Sequence, residues 1–221
     1  MIGLISAMDI ELDAYIELMQ DKKEYNYAGL TYYHGMLMGK EIAICNCGVG
    51  KVNAAMHTQI LIEKFHPDVI IQNGIAGSLS HDVRQFDIVI GNELIYHDMP
   101  DNVVEQFGPL ERIYHADPGL VELVRSIVKE NRVHVGRIAT GDQFIASTSE
   151  KDRIRDNTGA LCVEMEGCAV AHTAYLNGIP FIVMRAISDM ADDDAGVDFS
   201  EFQVIAANKT VEIILEMIQN I

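Results

Sequence analysis

Asp68-Val69-Ile70-Ile71-Gln72-Asn73, followed at once by Gly74-Ile75-Ala76-Gly77-Ser78, is the stretch that decides the fold. Val69, Ile70 and Ile71 are apolar on consecutive residues, so a strand made of them must be covered on both faces. The small residues behind them read as a tight turn at the strand's end, where open α/β sheets take their ligands. Phe181-Ile182-Val183-Met184 is a second strand of the same buried kind.

Outward from these two runs, strand-length apolar segments at 2–6, 31–37, 41–47, 68–73, 86–95, 133–140, 160–163 and 180–187 alternate with longer segments of helical period. The helical segments are 10–20, 52–65, 118–131, 166–177 and 199–218; in the last, Phe202, Ile205, Ala206, Val211, Ile214, Leu215 and Ile218 follow the helical repeat. Alternation of this kind predicts an α/β protein with helices on both faces of a sheet. No Pro- or Gly-rich linker and no internal repeat divides residues 1–221, which predicts a single domain.

Two stretches break the pattern. Residues 96–117, with Pro100, Gly108 and Pro109, read as a binding loop. Residues 189–198 carry Asp192, Asp193 and Asp194 in succession, which is the habit of a solvated acidic loop capping the last helix rather than of a cation site.

The net charge is −17, from 16 Lys+Arg against 33 Asp+Glu. Such a surface repels phosphate backbones and anionic lipid, which argues against nucleic-acid and membrane partners. No apolar run approaches the roughly 18 residues of a membrane span, and the N-terminus lacks a basic signal stretch, so a cytoplasmic location is expected. Cys45, Cys47, Cys162 and Cys168 form no CxxC pair and read as buried reduced thiols; no metal is expected.

Gly48-Val49-Gly50-Lys51 joins a strand to a helix but matches neither nucleotide fingerprint. Cys45 stands where a P-loop needs its first glycine and Val52 where it needs a hydroxyl, while Asn53 takes the third glycine position of a dinucleotide motif. A tight turn with backbone N–H groups at a helix start is what remains.

Three acids sit where a soluble surface would not put them. Glu11 lies just past the first strand, Glu166 ends Val163-Glu164-Met165-Glu166, and Asp189 ends Arg185-Ala186-Ile187-Ser188-Asp189. All three map to strand ends on one rim of the sheet. Each also has a structural reading: Glu11 at the positive end of a helix, Glu166 as a helix cap, Asp189 paired with Arg185.

Taken together, these residues resemble the nucleoside phosphorylase superfamily and, within it, the bacterial 5′-methylthioadenosine/S-adenosylhomocysteine nucleosidases. The resemblance spans nearly the whole chain and is carried by residues 2–11, 48–55, 67–71, Tyr96-His97-Asp98, Gly141-Asp142-Gln143-Phe144-Ile145, 163–166 and 185–189. It implies a three-layer αβα sandwich with a mixed central sheet, a homodimer, no cofactor and no metal. It implies hydrolysis of the N-glycosidic bond of an adenine nucleoside, releasing adenine. By position, Glu11 activates water and Asp189, steadied by Ser188, passes a proton to purine N7. Glu166 holds the ribose hydroxyls, with Met165 and Met8 against the sugar. Phe144 stacks on the adenine, Ile145 meets it through its backbone, and Val49, Phe199 and Arg185 complete the substrate site.

Two departures stand out. Ile75 replaces a serine usual in the family's glycine-rich turn, and with no donor for an oxyanion it speaks against phosphorolysis. Residues 99–109 lack the family's Phe, Tyr and Gly pattern over the 5′ end of the substrate. The rival readings are a phosphate-dependent phosphorylase and a nucleoside-binding module without catalysis. Retention of an acid and a base together opposes the second.

Overall fold

Among the residues that the computed structural model describes, 1–108, 110–128 and 132–221, one mixed sheet of ten strands organises the chain. It opens with β1 (Ile2–Ser6), a 3₁₀ turn at Asp9–Glu11, α1 (Asp13–Leu18), β2 (Gln20–Tyr27), β3 (Leu30–Leu37), β4 (Lys40–Asn46), α2 (Lys51–Phe65) and β5 (Val69–Ser78). There follow β6 (Ile88–Tyr96), α3 (Asp101–Gln106), β7 (Tyr114–His115), α4 (Pro118–Ile127), β8 (Val133–Thr140) and α5 (Thr148–Thr158). The chain ends with β9 (Cys162–Glu164), α6 (Gly167–Leu176), β10 (Phe181–Asp189), α7 (Ala195–Asn208) and α8 (Val211–Asn220).

β1 lies between β4 and β5, parallel to both, and β4, β3 and β2 run antiparallel toward one edge. On the other side the sheet closes on itself. β5 pairs with β10 and with β9, β10 with β6, β6 with β8 and β8 with β9, so five strands form a ring. Every residue of β1, β5 and β10 is buried, as their consecutive apolar residues require. α2 packs beside α6, α7 lies on β10 and β5, and α4 packs with α8, so helices flank the central sheet.

Several local expectations are corrected. The turn expected at 74–78 is the second half of β5, with Gly74 opposite Arg185, Ile75 opposite Ala186 and Ala76 opposite Ile187. Its small residues serve a close crossing, because a Cβ on Gly74 would overlap the Arg185 guanidinium. The helix expected over 10–20 stops at Leu18, and 20–27 is a strand whose largely exposed run Gln20-Asp21-Lys22-Lys23-Glu24 gives no apolar alternation to read. The helix expected over 199–218 is two, parted at Lys209 and Thr210, where the Thr210 hydroxyl donates back to the Ala207 carbonyl at 3.1 Å.

Residues 96–117 are not wholly irregular, since α3 and β7 lie within them; position 109 falls outside the described residues. So do 129–131, the end of the helix expected over 118–131. Helix α5 carried no clear signal because, apart from Ile154, its buried residues are Lys151 and Thr158. All four cysteines are free and buried. Among the described residues no helix is long and apolar enough to cross a membrane.

Candidate active site

The strand ends gather the three acids. Glu11 closes the 3₁₀ turn that follows β1, and its Oε2 accepts the backbone N–H groups of Ala7 and Met8, each at 3.0 Å. Oε1 accepts from the backbone N–H of Ile75 at 3.0 Å, tying the turn to β5. Burial lifts the Glu11 carboxyl above its ordinary range, against the opposing pull of Arg185 and of these N–H donors.

Glu166 occupies the N-cap position of α6 but makes no side-chain cap. Its carboxylate turns instead to the start of α2, where Oε1 accepts from the Gly50 N–H at 2.9 Å. Gly50 sits at φ 97°, in the left-handed region that side chains avoid. The next donor, the Lys51 N–H, is taken by Asp142 Oδ1 at 2.8 Å. Carboxylates thus take two of the helix-start donors that could otherwise cradle a phosphate. Burial, and then the neighbouring Glu164 charge, pushes Glu166 up to about 7.

Asp189 ends β10. Its Oδ2 accepts from the Ser188 hydroxyl at 2.7 Å and its Oδ1 from the Ala191 N–H at 2.9 Å, and it is not paired with Arg185. Burial raises its pKa above the usual aspartate value, so a proton is held more readily here than on a surface aspartate.

Glu11, Glu166 and Asp189 line one cavity, together with Met8, Val49, Phe144, Met165, Ser188 and Phe199. The cavity holds about 210 Å³ and opens to solvent. Phe144, half exposed, meets Phe199 edge to face with ring centroids 5.3 Å apart. Ile75 also lines the cavity. Its side chain belongs to a small apolar cluster with Ala186, Ala206 and Ala207.

One expected contact lies elsewhere. Arg185, assigned to the substrate from the sequence, is fully buried behind the wall, where its Nη2 bonds Glu164 Oε2 and stands 3.5 Å from Glu166 Oε2. A guanidinium so removed from water must keep carboxylate partners. The Ile145 side chain is buried in a small apolar cluster with Leu79, Ile95 and Ala139, and the contact expected of this residue is a backbone one. Among the described residues none of 99–108 lines it. Nor do the described His, Cys, Asp and Glu side chains form a group of three that could hold a metal ion.

Sequence reasoning missed Glu164 as a participant. Its Oε1 accepts from the Thr140 hydroxyl, and its Oε2 accepts the N–H groups of Glu166 at 2.9 Å and Gly167 at 2.6 Å as well as Arg185. The available signal was a carboxylate inside the buried run Cys162-Val163-Glu164.

Three buried carboxyl groups around one apolar cavity suit the breaking of a bond that leaves opposite charges on its two sides. Comparison with known proteins agrees with that chemistry. The family model described as the phosphorylase superfamily matches residues 1–219. The 5′-methylthioadenosine/S-adenosylhomocysteine nucleosidase of Staphylococcus carnosus is 38% identical, with 100% of both chains covered. The crystal structure of S-adenosylhomocysteine nucleosidase from Streptococcus pyogenes, in complex with 5-methylthiotubericidin, superposes with a TM-score of 0.95 at 35% identity, covering 100% of this chain and 96% of that one. The nucleosidase from Neisseria meningitidis, in complex with methylthio-immucillin-A, gives 0.95 at 31% identity, with 100% and 99% covered.

Proposed function

The chain belongs to the phosphorylase superfamily and, within it, to the 5′-methylthioadenosine/S-adenosylhomocysteine nucleosidases, and on that premise we propose that it hydrolyses the N-glycosidic bond of 5′-substituted adenine nucleosides. The observation that carries the proposal is the convergence of Glu11, Glu166 and Asp189 on one cavity.

In this reading the C1′–N9 bond breaks with its electron pair going to the adenine, and Asp189 delivers a proton to N7 so that the base departs neutral. The burial that raises the Asp189 pKa keeps that proton available, and the Ser188 hydroxyl holds the carboxyl in place. Glu166 binds the ribose hydroxyls and, when ionised, favours positive charge growing on the sugar. Glu11 takes the proton of a water whose oxygen bonds to C1′. Three backbone donors fix the direction of its carboxylate. Met8 and Met165 pack on the sugar, Phe144 stacks on the adenine, and Val49 and Phe199 close the apolar sides.

Water rather than phosphate is the nucleophile in this proposal. Glu166 and Asp142 occupy the Gly50 and Lys51 N–H donors at the start of α2, and the Ile75 side chain brings no donor to the cavity wall.

The same reading includes a homodimer in the cytoplasm. Val49, Val52 and Met56 stand exposed in one row leading from the cavity along α2, with Val52 76% exposed, and a second copy of the chain would cover them. Four free cysteines suit a reducing compartment.

The deciding experiment follows adenine release from 5′-methylthioadenosine with and without inorganic phosphate. Equal rates and free 5-methylthioribose are expected. Strict dependence on phosphate, with a sugar 1-phosphate as product, would overturn the hydrolytic reading.

A further inference from the structure

Glu164 and Glu166 both face a single guanidinium, that of Arg185, and the Glu11 charge acts on it as well. Glu164 Oε2 makes the close bond to Arg185 Nη2, and Glu166 Oε2 is left 3.5 Å from the same nitrogen, beyond a good hydrogen bond. The second of these carboxylates therefore remains directed at the cavity because the first has taken the cation. Gly74, lacking a Cβ, leaves room for the guanidinium to lie in that position.

Glu164 also governs the backbone from which Glu166 projects. Its Oε2 receives the N–H groups of Glu166 and Gly167 at 2.9 and 2.6 Å, so both residues at the start of α6 hang from it. The Thr140 hydroxyl anchors the other oxygen and in turn accepts the Cys168 N–H at 2.8 Å. Glu164 borders the cavity beside Met165 and Glu166, but its side chain is only 2% exposed and both its oxygens are engaged by the protein.

From this arrangement we infer that Glu164 is a positioning residue for the ribose-binding carboxylate, acting through Arg185 and the Glu166 backbone rather than on the substrate. The inference rests on the nucleosidase reading of the site. With Glu164 neutralised, Arg185 turns to Glu166 and draws its carboxylate toward the strand wall, away from the sugar. A base-only ligand such as adenine, which carries no hydroxyls for Glu166, is indifferent to the change.

The test is a double-mutant cycle with Glu164→Gln and Glu166→Gln, read as kcat and KM for 5′-methylthioadenosine and as Kd for adenine. Misplacement of a binding group by about 1 Å costs roughly 10²-fold, so Glu164→Gln should lose about that much kcat/KM with KM raised and adenine affinity kept. Because one residue acts through the other, the double variant should be no worse than Glu166→Gln alone. Additive losses, unchanged KM, or adenine binding weakened in parallel would overturn the inference. Should Glu164→Gln fail to fold, Thr140→Val enters the same cycle, with a loss of about tenfold expected from one buried hydrogen bond. A wild-type protein that releases no adenine would defeat the nucleosidase reading itself, and this inference with it.

Discussion

The backbone N–H of Ile75 donates to Glu11 Oε1 at 3.0 Å, while the Ile75 side chain packs against Ala186, Ala206 and Ala207. One residue thus orients the proposed base through its backbone and seats α7 through its side chain. Replacement by serine keeps the first link and damages the second. Ile75→Ser should retain phosphate-independent adenine release near the wild-type rate while losing on the order of 2–5 kcal/mol of stability, the range for emptying a buried aliphatic site. Steady-state kinetics and urea unfolding check the two halves. A large rate loss at unchanged stability would show that the isoleucine side chain itself serves the nucleophile.

Asp189→Asn removes the proton donor but keeps the shape and an acceptor for the Ser188 hydroxyl. Turnover of adenine nucleosides should fall by about 10²- to 10⁴-fold, with melting temperature and adenine binding preserved. Unchanged turnover would remove Asp189 from the mechanism.

Glu166 makes the stability of the free enzyme depend on pH with an unusual sign. Its carboxyl stands at about 7 in the folded chain against an ordinary 4.5, so the native state holds a proton that the unfolded chain has released. That contribution is complete below the unfolded value and disappears as pH rises through the folded one. Relative to Glu166→Gln, the ligand-free wild type should therefore lose melting temperature as pH rises from about 5 to about 8, whatever slope the other buried groups give both proteins. Parallel pH profiles for the two proteins would contradict the assignment.

Val52→Asp places a charge in the exposed row formed with Val49 and Met56. Sedimentation should report a dimer for the wild type and a monomer for the variant, since a buried unpaired carboxylate opposes association. A wild-type monomer at micromolar concentration would end the dimer proposal.

How much of this was legible depended on where each residue's partners lie. β1, β5 and β10 were readable because burial on both faces leaves uninterrupted apolar runs. The three site acids were readable because carboxylates at the ends of such runs conflict with their surroundings. β2 and α5 were not, since an exposed edge strand and a mostly solvated helix carry little hydrophobic period. The continuation of β5 through Gly74 and Gly77 escaped notice because glycine normally signals a turn, whereas here it admits the Arg185 guanidinium and the Asp189 carboxylate across the strand. Arg185 was assigned to the ligand because sequence gives no depth, and its long side chain ends among Glu164, Glu166 and Glu11 behind the wall.

Joining five strands into a ring has a consequence for how the molecule behaves in a crowded solution. β2 is one free edge of the sheet, and the two-residue β7 pairs with β6 alone. β2 bristles with Asp21, Lys22, Lys23 and Glu24, and its register with β3 slips between Gln20 and Lys23. That edge offers no flat, uncharged template for a foreign strand. The charges and the register slip of β2 therefore oppose fibre growth by strand recruitment along that edge.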